Sequence, residues 1–549
     1  MKKLIFSLLA SVWLTFSSFA QQIQPEQALS DFIRYKLETQ NPGQRVSIDG
    51  IELFGLEEIY SFYEKRNFKE AWSQNRRLTE EAYELKFEIN QAKFDGLNPN
   101  DYYLDKLNQI FTQFESFDSR QTPASQEDLL NVDFLLTDAF FKLATHLSRG
   151  KVDPSTLKSD WGIMNKKPKV YYDEVLAKAI EEKQIRQNLE SLYPYFVIYR
   201  KGREVLRALD EKRKNDTINW KKLKINKSIK VGERDNSVAK LRDRLIFWGY
   251  QENYQVEDPK LFDSLLFLSV KEYQQNNGMD TDGVIGNKTL ASINNSPSDQ
   301  FDKASVNMER LRWLPDTLRD SELILVNIAN YELDYLNNRD TLFSSKVIVG
   351  QEYHQSPIFT AEMSYIVFSP YWNLPNSITR NEVMPAMRKN PSYLSRKNME
   401  VVTFSGKKVD PNGIDWQAKS FPYMVRQKPG PGNSLGLVKF MFPNNHSVYI
   451  HDTPARSLFE RGERAFSHGC IRLQNPATFA EVILRNNPEW TPTKISESMH
   501  LTQEKVVNLD RKIPVVILYL TFWSDSRGIG NFREDIYSRD AEVLEALRR

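Results

Sequence analysis

The sequence predicts a multidomain α+β protein: a helical N-terminal half, a small three-helix module, and a mostly β C-terminal domain that carries an insertion. Three observations lead there. At 549 residues the chain exceeds what one hydrophobic core can organise, so several domains are expected. Up to about residue 220, apolar residues recur at three- and four-residue spacing, the period of amphipathic helices. Beyond residue 303 the pattern changes to short runs of Val, Ile, Leu, Phe and Tyr bounded by Gly, Pro and Asn, which mark strands. Composition agrees, since 40% hydrophobic and 27% charged residues suit a folded chain rather than a disordered one. With 74 Lys and Arg against 72 Asp and Glu, the formal charge is +2, and nothing in it calls for nucleic acid.

Residues 1–20 read as a secretory signal. Lys2 and Lys3 are followed by an apolar stretch from Leu4 to Phe16, and Ser18-Phe19-Ala20 supplies small residues for cleavage before Gln21. The stretch is short for a membrane anchor, and no cysteine follows it for lipid attachment. Ile513–Trp523 is too short to span a bilayer and reads as a buried strand, so no membrane span is expected after cleavage. Residues 21–225 form the helical part, with helices expected around Glu57–Glu70, Thr79–Ala92 and Leu129–Ser148 and a break at Asp95-Gly96-Leu97-Asn98-Pro99. His146 reads as structural, and Lys221-Lys222-Leu223-Lys224 as solvated linker.

Residues 226–298 form the small module. Val238, Leu241, Leu245 and Trp248 share one helix face, Gly249 ends that helix, a second covers Leu261–Asn276, and Thr289-Leu290 opens a third after the turns at Gly278, Gly283 and Gly286. Residues 303–549 form the β domain, with strands expected at Leu323–Ile328, Lys346–Val349, Ile366–Phe368, Leu437–Phe442, Ser447–Ile450 and Val515–Phe522. The polar stretch 377–418, with a helix-like Arg380–Lys389, interrupts it as an insertion that reads as a cap over substrate or as a surface excursion. Trp372 and Tyr371 read either as groove-lining or as core aromatics.

Cys470 is the one cysteine of the chain. An exported protein ordinarily pairs its cysteines, so a lone thiol stands out as reactive or as an inert buried residue. Its surroundings favour chemistry. Tyr449-Ile450-His451-Asp452-Thr453-Pro454 precedes Ser467-His468-Gly469-Cys470-Ile471-Arg472-Leu473. A thiol becomes a strong nucleophile when an imidazole takes its proton, and His451 and His468 are the two candidates close in sequence. If 467–470 is extended, His468 and Cys470 point to one side. Gly469 permits a tight turn, N–H groups around Gly469-Cys470 can stabilise an oxyanion, and Arg472 can anchor a carboxylate or brace the loop. His354 and His446 read as surface residues, and His500 has no assigned role.

These motifs closely resemble the L,D-transpeptidase (YkuD-type) family, in which a histidine precedes Ser/Thr-His-Gly-Cys by about fifteen residues; here fifteen residues separate His451 from Ser467. Residues 312–315, 326–328, 356–359, 372–375, 430–436, 519–523 and 531–537 look like the large YcbB-type members, as do 95–97 and 146–150. The module resembles the three-helix peptidoglycan-binding domain of wall enzymes. The resemblance implies a β-sandwich-like catalytic domain, a helical scaffold domain at 21–225 and a capping subdomain at 377–418. It implies Cys470 as nucleophile, His451 as the likelier base oriented by the Asp452 carbonyl, and His468 in support. Tyr449, Ser467, Arg472 and Trp372 would line the substrate site.

The reaction so implied is acyl transfer through a thioester. Cys470 would attack a donor tetrapeptide stem, release D-alanine, and pass the acyl group to the amine of a second stem as a 3–3 peptidoglycan cross-link. No cofactor is expected, carbapenems become expected inhibitors, and the location would be periplasmic. Water as acceptor gives an L,D-carboxypeptidase, and a D-amino acid gives an exchange enzyme. A zinc site built from His451, His468, Cys470 and Asp452 is a different class, as is a wall-binding protein without turnover.

Overall fold

The structure, a computed structural model, describes residues 28–39, 47–48, 50–162, 171–315, 318, 322–338, 340–525 and 527–549. The expected signal at 1–20 lies outside the described residues. Among these residues no helix is long and apolar enough to cross a membrane. The expected class holds, with a helical N-terminal part, the helical module and a β-rich C-terminal domain.

Contacts divide the chain into two units, and the division cuts through the expected 21–225 block. The first unit comprises residues up to Asn90, Pro99–Ala144 and Lys169–Ser191; the second comprises Gln91–Asn98, Thr145–Pro168 and Leu192–Arg549. In the first, the helix Leu56–Lys65 buries Ile59, Phe62 and Tyr63, one face at helical spacing. Tyr63 donates to Asp133, which also accepts from the amides of Ala71 at 2.9 Å and Trp72 at 3.0 Å. Burial pushes that carboxyl up to about 6.

In the second unit the helix Pro297–Trp313 is buried nearly throughout and opens with a capping box at Ser296 and Asp299. Its Glu309 and Arg312 are fully buried and paired at 2.5 Å. Glu309 also accepts from the Val152 amide, and Arg312 donates to the Asp95 carbonyl and the Tyr199 hydroxyl. Gly96 lies against Ser305 of this helix, where a Cβ would come within 2.6 Å of the backbone. That contact explains the glycine after Asp95 and assigns residues 91–98 to this unit.

The module packs Val238, Leu241, Leu245, Leu266, Val270, Tyr273, Leu290 and Ile293 into one core. Its second helix starts at Ser264 rather than Leu261, because Asp263 caps it through the Leu266 amide at 2.9 Å. Leu223 is buried in that core, so residues 221–224 are pinned by one side chain rather than wholly solvated.

The β domain is built on a ten-stranded sheet. We number its strands with those of the insertion: β1 (Trp161–Gly162), β2 (Glu322–Asn327), β3 (Glu332–Asn337), β4 (Asp340–Gly350), β5 (Ile358–Phe368), β6 (Trp372–Asn373), β7 (Met399–Val402), β8 (Lys408–Val409), β9 (Met424–Gln427), β10 (Val438–Met441), β11 (Ile450–His451), β12 (Ala465–Ser467), β13 (Ile471–Leu473) and β14 (Lys505–Leu518). The pairing runs β10-β11-β13-β4-β3-β2-β14-β5, and β10 also pairs with β5, so the path closes on itself. The family resemblance implies a β-sandwich-like domain; here the sheet path closes, which removes two free edges. The expected strand Ser447–Ile450 shortens to β11, because Ser447 sits at φ +56 in a turn. The strand expected at Val515–Phe522 belongs to the longer β14, which ends at Leu518.

The insertion is larger than 377–418. Its four strands pair in the order β6-β9-β7-β8, which draws in residues 372–427. Leu374, Val383, Met387, Leu394, Val401 and Val425 give it a core separate from the sheet interior.

Candidate active site

Two short parallel strands assemble the site. β11 and β13 pair with Ile450 opposite Ile471 and His451 opposite Arg472. Ile450, Ile471 and Leu473 are fully buried and fill the interior. Alternation then sends Tyr449, His451, Cys470 and Arg472 to the opposite face. The Ile471 amide donates to the Tyr449 carbonyl at 3.1 Å, which fixes Cys470 beside Tyr449.

His451 is 5% exposed, and its Nδ1 lies 2.5 Å from the Asp452 carbonyl oxygen. That contact places the ring proton on Nδ1 and leaves Nε2 as the acceptor. Burial, then the charge of Arg472, hold the imidazole down to about 3, with Lys439 adding in the same direction, against hydrogen bonds from the ring to the Asp452 and Leu435 backbone that favour its protonated form. The Asp452 carboxylate serves the fold. It accepts from the amides of Leu437 at 2.8 Å and Thr453 at 2.7 Å and from Arg456 at 2.5 Å. Gly436, at φ +63, leaves room for it, since a Cβ there would overlap that carboxylate.

The Cys470 thiol is partly exposed. Burial raises it above the usual thiol value, while hydrogen bonding from Tyr449 and the Arg472 charge pull it back. The sulfur also lies 3.9 Å from the Ser447 carbonyl, and no hydrogen bond joins it to His451 among the described residues. The resting pair is therefore a neutral thiol beside a neutral imidazole.

The turn before Cys470 departs from the extended reading. Gly469 sits at φ +112, which breaks the alternation between His468 and Cys470. His468 is exposed and stacks on His354, with ring centroids 4.9 Å apart. Ser467 is buried; its hydroxyl donates to the Cys470 carbonyl at 2.6 Å and accepts from the Gly469 amide at 3.1 Å. It braces the turn rather than facing open space, and the Gly469 amide is spent on it. The Cys470 amide has no partner among the described residues and is the donor left for an oxyanion. Ser356 holds the Gly469 carbonyl at 2.8 Å.

Arg472 is half-buried, and its Nε has no partner. Trp372 packs against the insertion's core and pairs with Gln427 in its small sheet. Tyr371 lies under the Arg426 guanidinium, 4.2 Å from ring to charge. Lys439 went unnoticed in the sequence. It is the cross-strand partner of His451, and its signal was a lysine between the buried Val438 and Phe440 of a strand. Among the described residues no three His, Cys, Asp or Glu side chains gather closely enough to hold a metal ion, so the zinc reading lacks a donor set.

Three family models match the chain. Residues 57–206 match the scaffold domain, 234–293 the family described as "Putative peptidoglycan binding domain", and 321–506 the L,D-transpeptidase catalytic domain. A curated protein of Haemophilus influenzae, named "Putative L,D-transpeptidase", is 34% identical over 243 residues. The match covers 44% of this chain and 48% of the relative, so the chain spans about half the length of the curated relative it matches. Solved structures of L,D-transpeptidases from Xylanimonas cellulosilytica (11% identity, 54% of this chain and 100% of that one, TM-score 0.18) and Stackebrandtia nassauensis (12%, 53% and 94%, TM-score 0.21) also align, at scores too low to carry an argument.

Proposed function

With an L,D-transpeptidase catalytic domain joined to a scaffold domain and a peptidoglycan-binding domain, we propose that this chain cross-links peptidoglycan stems through a thioester on Cys470. The observation that carries the reading is the shared face of β11 and β13. It sets an imidazole, oriented through Nδ1 by a backbone carbonyl, one strand from the half-buried thiol.

The donor is a tetrapeptide stem. Cys470 gives its proton to Nε2 of His451 as sulfur bonds to the carbonyl carbon of the third residue. The Cys470 amide, with Tyr449 beside it, takes the developing oxyanion. Collapse breaks the bond to D-alanine, whose nitrogen receives the proton from His451. The side-chain amine of a second stem then attacks the thioester and loses its proton to His451. Thiolate leaves and is reprotonated, and the product is a 3–3 cross-link. Gly469 and Ser467 set the turn that presents the sulfur, and Arg472 holds a stem carboxylate. His468, stacked on His354, supports the rim. The insertion, with Trp372 packed against its core, caps the donor. The module at 226–298 holds wall material near the site, and the scaffold occupies 21–225. Export by residues 1–20 would place the enzyme in the periplasm, and a carbapenem would acylate the same sulfur.

The test is product analysis on defined tetrapeptide muropeptides. The expected result is stoichiometric D-alanine and 3–3 dimer from the wild type and neither from Cys470→Ala. D-alanine with free tripeptide alone would make the chain a carboxypeptidase, and D-alanine release by Cys470→Ala at the wild-type rate would overturn the reading.

A further inference from the structure

Lys439 lies on β10 with its neighbours Val438 and Phe440 turned into the interior, so its side chain shares the face of Val367, His451 and Arg472. Lys439, His451 and Arg472 form a row across three adjacent strands, with the imidazole in the middle. Successive strands stand about 4.8 Å apart, which puts the two cationic backbones about 10 Å from one another. Two long side chains can close on a small anion across that distance.

Neither cation is neutralised by the protein. The Lys439 ammonium makes no hydrogen bond or ion pair with any described residue; Glu504 attracts it from beyond ion-pair distance, and burial lowers its proton affinity. Arg472 is also half-buried, and its Nε is unpartnered. Half-burying two like charges beside a base is costly unless a counter-charge arrives. It also works against the base, since both charges oppose protonation of His451. An anionic ligand removes both penalties at once.

We propose that Lys439 and Arg472 form a two-cation cradle for a carboxylate of the donor peptide, with Lys439 discriminating carboxylate from carboxamide donors. The identity of the ligand rests on the cross-linking function proposed above; the cradle itself rests on the geometry of the row. A donor carboxylate docked there would screen both cations and leave His451 better able to accept the thiol proton.

The test is equilibrium binding by calorimetry, in a Cys470→Ala background so that no turnover occurs. The probes are a tetrapeptide, its C-terminal carboxamide, and its form amidated on the third-residue side chain. One amidated probe should bind at least about tenfold more weakly than the free acid, about 1.4 kcal/mol. Adding Lys439→Gln should abolish most of that preference, and Lys439→Arg should keep it. An undiminished preference in Lys439→Gln, no preference at the outset, or equal weakening of all three probes would overturn the proposal. A preference that behaves as expected while the wild type forms no thioester would overturn the cross-linking reading and leave the cradle standing.

Discussion

Lowering the pH from about 7.5 to about 5.5 should leave the first acylation step almost untouched. An ordinary imidazole titrates near 6.5, so at about pH 5.5 roughly nine-tenths of it would be protonated and the rate would fall about tenfold. Here burial and the Arg472 charge, with a smaller push from Lys439, hold His451 down to about 3. More than about 99% of the ring then stays neutral at pH 5.5, and the expected loss is under a few per cent. The thiol does not alter this, because burial moves it upward and keeps it protonated through the same window. The assay is kcat/KM for D-alanine release at limiting donor, since that quantity reports the free enzyme's groups. A tenfold acid limb centred near 6.5 would refute the reasoning, because the imidazole would then be solvated or already paired with a thiolate. The same depression has a stability consequence. A histidine that titrates lower when folded contributes stability that is present above about pH 6.5 and lost as the pH falls toward 3, at most about 4 to 5 kcal/mol. His451→Gln should therefore flatten the acid side of a pH–urea stability profile.

Three further substitutions follow from the geometry. Gly436→Ala forces a Cβ into the Asp452 carboxylate at φ +63, so it should shift the carbonyl that orients His451 and cut kcat at least about tenfold; unchanged kinetics would show that Asp452 does not position the ring. Ser467→Ala removes the hydroxyl that links the Gly469 amide to the Cys470 carbonyl, at a cost of about 1–3 kcal/mol in urea unfolding and a slower acylation rate. Glu309→Gln leaves the buried Arg312 without its ion-pair partner and should destabilise the protein by about 3–5 kcal/mol with little effect on KM, read as a fall in the denaturation midpoint.

The chemistry was legible because it is local. Tyr449 to Pro454 and Ser467 to Leu473 are contiguous motifs, and strand alternation alone puts Cys470 and Arg472 on one face. What the sequence concealed depends on backbone conformation or on distant pairing. Gly469 was recognised as a turn former, but its φ of +112 reverses the expected alternation and sends His468 outward onto His354, almost 115 residues earlier. The cation beside His451 comes from β10, outside both motifs, and register rather than spacing brings it there. Trp372-Asn373 and Met424–Gln427 join the insertion's small sheet through pairings across about fifty residues, which the polar composition of 377–418 does not mark. Closure of the large sheet rests on the β10–β5 pairing, which no local pattern announces.

The most direct test of the account is intact-mass analysis of the wild-type protein quenched during reaction with a tetrapeptide donor, followed by peptide mapping. The account predicts an added mass equal to the donor less D-alanine, carried on the Cys470 peptide and labile to hydroxylamine. An acyl group mapped to another residue, or D-alanine accumulating in many turnovers from protein already alkylated at Cys470, would contradict it.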